Sequence, residues 1–227
     1  VQWPLERFPP CLDPQQWLAK AGVSAADPVL LAVGTKAHQK GFDRLLRWWV
    51  PLALRHPDLQ LVILGLEQQP YHGCDQQADL QALLAHQPEL QARLHFPGRV
   101  GNVADWYDRT EIFVLSSRYE GFPNVLLEAM AAGCCCVAAD CPHGPADLIT
   151  DGDNGRLIAD DATDADWVRC LDGLLTHPTE RSRLAGQALA VRERYAPERL
   201  RNSLITALRE VGTPALIQAS AEWCRDG

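Results

Sequence analysis

Short apolar segments alternate with longer segments of helical periodicity along most of this chain, and this alternation limits the folds open to it. Five segments are nearly continuous apolar runs, two of which end at Gly34 and Gly65. The five runs span residues 28–34, 59–65, 94–98, 111–116 and 134–139. Such runs are typical of strands buried on both faces, and strands that alternate with helices form a parallel sheet. We therefore predict an α/β fold in which helices cover both faces of a parallel sheet.

The remaining segments predict the helices and the domain boundaries. Apolar residues recur at helical spacing in 15–21, 42–55, 78–86, 89–94, 103–109, 123–132, 164–175, 180–194 and 197–210. The proline-rich residues 1–28 are interpreted as a linker, residues 29–194 as one Rossmann-like domain, and residues 195–227 as a C-terminal helical segment. Residues 151–155 predict a turn, and residues 155–158 are interpreted as one flank of that turn.

Composition and charge exclude several classes of protein. The 227 residues are 47% apolar and 22% charged, which is ordinary for a globular protein and unlike a disordered or fibrous chain. The longest apolar runs are far shorter than the roughly 20 residues of a membrane span. A formal net charge of −8 disfavours nucleic acid as a partner, because a nucleic-acid binder would present a basic face.

The eight cysteines are spaced unlike metal ligands. No two of them form a Cys-x-x-Cys pair, and Cys134, Cys135 and Cys136 are consecutive. Successive side chains of a strand point to opposite faces, so these three cannot converge on one metal ion. We interpret the cysteines as buried apolar side chains in a reducing compartment and predict no metal site.

The loop after the first predicted strand combines two lysines with two glycines, in the order Gly34-Thr35-Lys36-Ala-His-Gln-Lys40-Gly41. Ligands of doubly wound sheets bind beyond the carboxyl ends of the strands, where helix N-termini and lysines favour an anion. The alternative is a solvated loop whose glycines only permit the turn, and both interpretations stay open. The loop matches neither the P-loop nor the dinucleotide-binding glycine pattern.

The loop after the fourth predicted strand contains Glu120 and Gly121 and leads into a helix that contains Glu128. Glycine lets the backbone approach a ligand closely, and the first amides of a helix lack partners within it. The two carboxylates are suited to accept hydrogen bonds from sugar hydroxyls. Alternatively, Glu120 is a charge at a helix N-terminus and Glu128 lies on a solvated face. The apolar neighbours of Glu128 favour a paired or ligand-bound carboxylate.

Residues 117–133, Ser-Arg-Tyr-Glu-Gly-Phe-Pro-Asn-Val-Leu-Leu-Glu-Ala-Met-Ala-Ala-Gly, resemble the signature of the retaining GT-B glycosyltransferases of family 4, in which seven residues separate two glutamates. The resemblance extends roughly from residue 29 to residue 194. It includes Lys40-Gly41, Phe-Pro-Gly at 96–98, and Gly144-Pro145 with the turn at 151–155. Thr35 departs from the family's usual arginine, and Asp147 stands where glutamate is common.

The resemblance implies the donor-binding domain of such a transferase. The donor would be a nucleotide-diphosphate sugar, with a UDP-sugar first among the candidates, and no metal ion would be needed. Glu120 would contact donor-sugar hydroxyls and Lys40 would neutralise the leaving diphosphate, so both are the expected catalytic residues. Glu120 is expected to lie further out than Glu128, which would hold the ribose. The expected donor-binding residues are Gly34, Thr35, Lys36, Arg99, Val100, Gly121, Phe122, Pro123, Asn124 and Glu128.

The resemblance also implies partners outside this sequence. Enzymes with the GT-B fold contain two Rossmann-like domains, whereas this chain has strand patterns for one, and it begins with Val1. We expect an inactive C-terminal half whose N-terminal acceptor-binding domain is missing. Expected roles are polysaccharide, lipopolysaccharide or glycolipid biosynthesis in the cytoplasm, with attachment to the inner membrane face through the missing half. An exposed apolar face on the last helix would favour a dimer.

Two other functions remain open on the sequence. One is a nucleotide-sugar-binding module without activity of its own. The other is a GT-B-like epimerase or phosphorylase, although no cofactor lysine or inorganic-phosphate motif stands out.

Overall fold

The computed structural model describes residues 9–67 and 75–210. A six-stranded parallel sheet is built from residues 29–159. The strands are β1 (Val29–Val33), β2 (Gln60–Leu64), β3 (Leu94–Gly98), β4 (Ile112–Leu115), β5 (Cys135–Asp140) and β6 (Arg156–Ala159). Their order across the sheet is β3-β2-β1-β4-β5-β6, and every neighbouring pair is parallel. The predicted Rossmann-like α/β fold is therefore confirmed.

The sixth strand corrects the sequence interpretation of residues 155–158 as the flank of a turn. Residues 156–159 pair with β5 in a regular parallel register that begins at Val137 and Arg156. The turn before the strand is held by Asn154, which accepts from the Thr150 amide at 2.8 Å and donates to the Leu148 carbonyl at 3.0 Å. A four-residue strand at the sheet edge that begins with arginine lacks the continuous apolar run that identified the other five.

The helices differ in detail from the sequence prediction. They are α1 (Pro14–Lys20), α2 (Ala37–Lys40), α3 (Phe42–Arg55), α4 (Gln76–Ala82), α5 (Pro88–Gln91), α6 (Val103–Asp108), α7 (Asn124–Ala132), α8 (Pro145–Leu148), α9 (Asp164–Thr176), α10 (Pro178–Ala188), α11 (Val191–Arg194) and α12 (Pro197–Glu210). The single helix predicted over 180–194 is wrong, because α10 and α11 are separate. The short α2 and α8 lie in loops where no helix was predicted, since four residues are too few to establish a helical period.

The chain divides after Leu189 into two compact units, residues 1–189 and residues 190–227. The first unit contains the sheet and helices α1 to α10. In the second unit, Leu200 and Leu204 of α12 are 54% and 60% exposed. The parts of the predicted linker at 1–8 and of the predicted C-terminal segment at 211–227 lie outside the described residues.

The core of the first unit forms where α3 and α9 pack on the sheet. Trp48 and Trp49 are both buried, as side chains that serve packing should be. The ring of Trp48 stacks on that of Trp167 with 3.8 Å between centroids, and its indole nitrogen donates to Asp164 at 2.6 Å. This stack and hydrogen bond join α3 to α9.

Cys134, Cys135 and Cys136 are buried around β5. Burial raises the pKa of the Cys134 and Cys135 thiols to about 12 and also raises that of Cys136. Across residues 9–67 and 75–210, no group of three or more His, Cys, Asp or Glu side chains could hold a metal ion. Within the same ranges, no helix has the length and apolar character needed to cross a membrane.

His95 on β3 makes the stability of the fold dependent on pH. It is 5% exposed, its ring nitrogen Nε2 lies 2.9 Å from Gln60 Oε1, and burial lowers its pKa from 6.5 to about 4. Between these pH values the unfolded chain binds a proton that the folded chain does not. The contribution of neutral His95 is complete above pH 6.5, and it falls by about 3 kcal/mol as the pH drops to 4.

Urea denaturation at several pH values measures this effect, with His95→Gln as the control that does not titrate. The wild-type free energy of unfolding should fall more steeply below pH 6.5 than that of the variant. Parallel pH profiles for the two proteins would contradict the assignment to His95.

Candidate functional site

The candidate site lies at the carboxyl ends of the central strands. In the strand order, β1 lies between β2 and β4, so the chain reverses its direction of progress across the sheet beside β1. Loops that leave adjacent strands in opposite directions open a crevice at such a point, and ligands of this fold class bind there. The two loops on either side are residues 34–41, here called the lysine loop, and residues 116–123, here called the glutamate loop.

Glycines at both ends of the lysine loop position Lys40. Gly34 leaves room for the lysine stem, because a Cβ at this position would lie 2.5 Å from Lys40 Cγ. Gly41 has φ 64°, and a Cβ there would overlap the carbonyl oxygen of Ser116 in the glutamate loop. The left-handed conformation at Gly41 ends α2 and begins α3, so Lys40 is the last residue of a tight turn beneath the crevice.

Hydrogen bonds join the two loops at several points. Ser116 Oγ donates to the Lys40 carbonyl at 2.7 Å. The Arg118 guanidinium donates to both carboxylate oxygens of Asp43 and to the His38 carbonyl, each at 2.7 Å. The hydrogen bond from Arg118 is the main reason that the pKa of Asp43 lies below its usual value. The sequence analysis did not predict a role for Arg118, although a positively charged residue within the glutamate loop could have pointed to one.

The two predicted catalytic side chains meet at the centre of the site. Lys40 Nζ lies 2.7 Å from Glu120 Oε1, although the residues are 80 positions apart in the chain. Ser117 Oγ donates to the same carboxylate oxygen at 2.5 Å. Glu120 is 8% exposed and Ser117 is fully buried. The sequence had predicted both charged residues but not their ion pair, and it had not singled out the Ser117 hydroxyl.

The two glutamates of the signature lie in opposite environments from those expected. Glu120 was expected to lie further out than Glu128, but Glu120 is buried and Glu128 is exposed on α7. Glu128 Oε2 accepts a hydrogen bond at 3.1 Å from the hydroxyl of buried Tyr107, which also donates to the Val125 carbonyl. Burial, and then the charge of Glu128, raise the pKa of Tyr107. Tyr107 orients a carboxylate that remains accessible, and the sequence did not point to it.

The beginning of α7 faces the same crevice. Pro123 takes the N-cap position and offers no side-chain cap, and Asn124 is the first residue of the helix. The Gly121 position has no heavy atom within 4 Å of where a Cβ would be, so packing within the protein does not demand glycine there. Gly144, with φ 100°, packs where a Cβ would overlap Pro123, which sets the start of α7 against the loop after β5. Phe122 is partly exposed beside this start.

The other predicted donor-binding residues follow strands β1 and β3. Thr35 and Lys36 are exposed before α2, and Lys36 forms no ion pair with any residue in 9–67 or 75–210. Gln76 joins this part of the loop to α4, because its side chain donates to the Thr35 carbonyl and accepts from the Ala37 amide. Arg99 is exposed after β3, two strands from β1, and lies 3.4 Å from Glu67, whereas Val100 is buried.

A cavity of about 480 Å³ adjoins the glutamate loop where β5 ends. Pro142 accepts from the Glu120 amide at 3.4 Å, and Cys141 lies on the wall of the cavity. Burial, followed by the charge of Glu120, raises the pKa of the Cys141 thiol to about 11. The Cys141 thiol is therefore protonated at neutral pH.

Comparison with known proteins shows what the chain is similar to. A family model described as glycosyl transferases group 1 matches residues 27–177. A glycosyltransferase of Haemophilus influenzae, described as uncharacterised, is 30% identical over 85% of this chain and 51% of its own length. The lipopolysaccharide core biosynthesis mannosyltransferase LpsB of Rhizobium meliloti is 30% identical over 79% and 50%. The chain thus spans about half the length of these curated relatives.

Solved structures show the same fold. The C-terminal domain of a glycosyl transferase group 1 family protein, LpcC, from Francisella tularensis matches with a TM-score of 0.65 and 22% identity, over 83% of this chain and 95% of that domain. Anabaena HepE in complex with UDP matches with a TM-score of 0.75 and 19% identity, over 87% of this chain and 52% of HepE.

Proposed function

This chain belongs to the group 1 glycosyltransferases, and we propose that its first unit binds the nucleotide-diphosphate sugar donor of a retaining transferase with the GT-B fold. The juxtaposition of Lys40 and Glu120 at the switch point of the sheet is the observation that supports this proposal most directly. The fold alone does not specify a ligand, since similar sheets host many chemistries. The proposal therefore rests on the side chains at the crevice.

The crevice offers the charges that a nucleotide-diphosphate sugar needs. The Lys40 ammonium and the amides at the start of α7 would face the diphosphate, which gains negative charge as the sugar departs. Glu120 would accept a hydrogen bond from a sugar hydroxyl, and the accessible carboxylate of Glu128 would bind the ribose hydroxyls. Thr35, Lys36, Gly121 and the other donor-binding residues expected from the sequence complete this proposal around the crevice.

A bound donor would share Lys40 with Glu120, because the two side chains form an ion pair. Lys40 would turn part of its hydrogen-bonding capacity from Glu120 to the phosphate oxygens, because an ammonium group has three donors. The same lysine would then join the leaving diphosphate to the carboxylate that contacts the sugar. In this arrangement the positive charge at the diphosphate comes from the protein, and binding needs no added divalent metal ion.

The wider role of the protein follows from its relatives. Several of them are named for lipopolysaccharide core biosynthesis, and one is an amylovoran biosynthesis glycosyltransferase of Erwinia amylovora. We extend the proposal to transfer of a glycosyl group in polysaccharide, lipopolysaccharide or glycolipid biosynthesis. The acceptor would bind to a second domain, so this chain by itself would bind the donor without transferring it. That second domain would also provide any contact with the membrane.

Titration calorimetry on this chain tests donor binding. UDP or GDP, each with its glucose or mannose conjugate, is titrated with excess EDTA, and one of the two families should bind at one site. Binding that requires Mg²⁺ or Mn²⁺ would contradict the assigned role of Lys40. A chain that binds neither family, with or without metal, would overturn the proposed function.

Replacing Glu128 tests the ribose contact. Glu128→Ala should weaken binding of the nucleotide about tenfold to a hundredfold, because a charge-assisted hydrogen bond contributes roughly 1.5–3 kcal/mol. Glu89, an exposed residue on α5, provides the matched control, and Glu89→Ala should leave the affinity unchanged. Equal affinities for the two variants would remove Glu128 from the site. A much lower melting temperature for Glu128→Ala would indicate a structural role instead.

A further inference from the structure

The two oxygens of the Glu120 carboxylate have different partners. Lys40 Nζ and Ser117 Oγ both bind Oε1, at 2.7 and 2.5 Å. Oε2 accepts no hydrogen bond from any residue in the described ranges 9–67 and 75–210. It is also absent from the fully buried side-chain atoms without a partner, which in the same ranges are three tryptophan indole nitrogens. Oε2 therefore borders accessible space while Oε1 is occupied.

The Ser117 hydroxyl is the fixed member of this arrangement. It is fully buried two residues after the end of β4, and its hydrogen bond reaches Glu120, only three positions further along the chain. Lys40 has a long flexible stem, and its side chain is 15% exposed. A bound diphosphate would take up part of the hydrogen-bonding capacity of the Lys40 ammonium, whereas the Ser117 hydroxyl would keep its bond to Glu120. Ser117 can thus hold the carboxylate in one orientation while the charge distribution around it changes.

We propose that Ser117 is a positioning residue, whose hydroxyl holds Glu120 Oε1 so that Oε2 meets a hydroxyl of the donor sugar. The inference rests on the proposed function of this site as a donor-binding site. An O–H donor to a carboxylate forms a short, charge-assisted hydrogen bond, which restricts rotation of the carboxyl group. With two donors on Oε1, the free acceptor capacity of Glu120 is concentrated on Oε2.

This role distinguishes the sugar from the nucleotide. Without the hydroxyl, the carboxylate can rotate and offer both oxygens to Lys40, and ordering it for the sugar then lowers the affinity. UDP or GDP has no sugar at this position, so its affinity should not change. The expected loss is therefore specific to the nucleotide sugar, whereas a general structural defect would weaken both ligands.

Calorimetry with UDP and UDP-glucose, and with GDP and GDP-mannose, measures the ratio of the two affinities within each pair. In whichever pair binds the wild-type chain, Ser117→Ala should reduce the affinity of the nucleotide sugar relative to the nucleotide by about threefold to tenfold. Glu120→Ala should lower the same ratio at least as much, and affinity for the nucleotide itself should stay within about twofold in Ser117→Ala. Ser117→Thr, which keeps the hydroxyl, should restore the ratio.

Two further variants test whether the loss comes from the missing hydroxyl at position 117. Ser117→Cys preserves most of the volume but is a weak donor, so it should show the same loss even if Ser117→Ala fails to fold. Thr110→Ala removes a hydroxyl that donates to the Trp106 carbonyl at 2.6 Å, away from the crevice, and should leave the ratio unchanged.

The outcomes separate the inference from the function on which it rests. A wild-type chain that binds neither pair overturns the proposed function, and the inference falls with it. If Glu120→Ala lowers the ratio but the Ser117 variants do not, donor binding stands and the positioning role of Ser117 is wrong. If Ser117→Ala weakens nucleotide and nucleotide sugar equally, Ser117 is structural and the inference is likewise overturned.

Discussion

A Gly41→Ala variant is expected to lose about 4 kcal/mol of its free energy of unfolding, because two costs combine at this position. The backbone at Gly41 has φ 64°, which a residue with a Cβ adopts at a cost. The added methyl group would also overlap the carbonyl oxygen of Ser116, which is backbone and cannot rotate away. Relief of the overlap would separate the lysine loop from the glutamate loop.

Urea denaturation measures the loss, and Gly121→Ala is its matched control. Gly121 belongs to the same crevice but has no heavy atom within 4 Å of the added Cβ position. Its alanine variant should stay within about 0.5 kcal/mol of the wild-type stability. Equal stabilities for the two variants would show that the close approach at Gly41 does not support the junction of the loops.

The second large effect is expected from Lys40→Ala, which should lower the free energy of unfolding by about 4 kcal/mol. The variant leaves the Glu120 carboxylate, 8% exposed, without its cationic partner. Removing one member of a buried ion pair is costly because the remaining charge stays desolvated. Adding Glu120→Gln should recover most of the loss, since a neutral amide can still accept from Ser117.

A double-mutant cycle on Lys40→Ala, Glu120→Gln and the combined variant measures the coupling between the two side chains. Lys36→Ala is the control, because it removes an exposed lysine of the same loop that pairs with no acid in 9–67 or 75–210. Its stability should be close to that of the wild type. A Lys40→Ala variant no less stable than Lys36→Ala would contradict the importance of the ion pair. Under the proposed function, Lys40→Ala should also weaken diphosphate binding more than Lys36→Ala does.

Local patterns in the sequence were sufficient for the fold class and for the two loops. The apolar runs predicted five of the six strands, and the charged and glycine residues after two of them marked the crevice. Strand β6 escaped prediction because a short edge strand needs no continuous apolar run. The helix break near Leu189 escaped it because the apolar spacing continues across the break.

The residues that orient the predicted site were the ones that sequence reasoning missed. Two of them, Arg118 and Tyr107, have partners that are distant in the chain. The third, Ser117, binds a nearby carboxylate that also pairs with the distant Lys40. Arg118 reaches Asp43, 75 positions away, and Tyr107 reaches Glu128 from a separate helix. A serine, an arginine and a tyrosine in these positions have many ordinary roles, and only their contacts distinguish them.

The sequence by itself determined which segments are buried strands, which loops follow them and which charged side chains those loops contain. Burial and helical spacing are local properties, so they leave a periodic trace along the chain. Only the tertiary structure decided that β4 lies beside β1, that Lys40 therefore pairs with Glu120, and that one carboxylate oxygen receives both donors. Strand order and hydrogen-bond geometry arise from packing between distant segments, which leaves no periodic trace in the sequence.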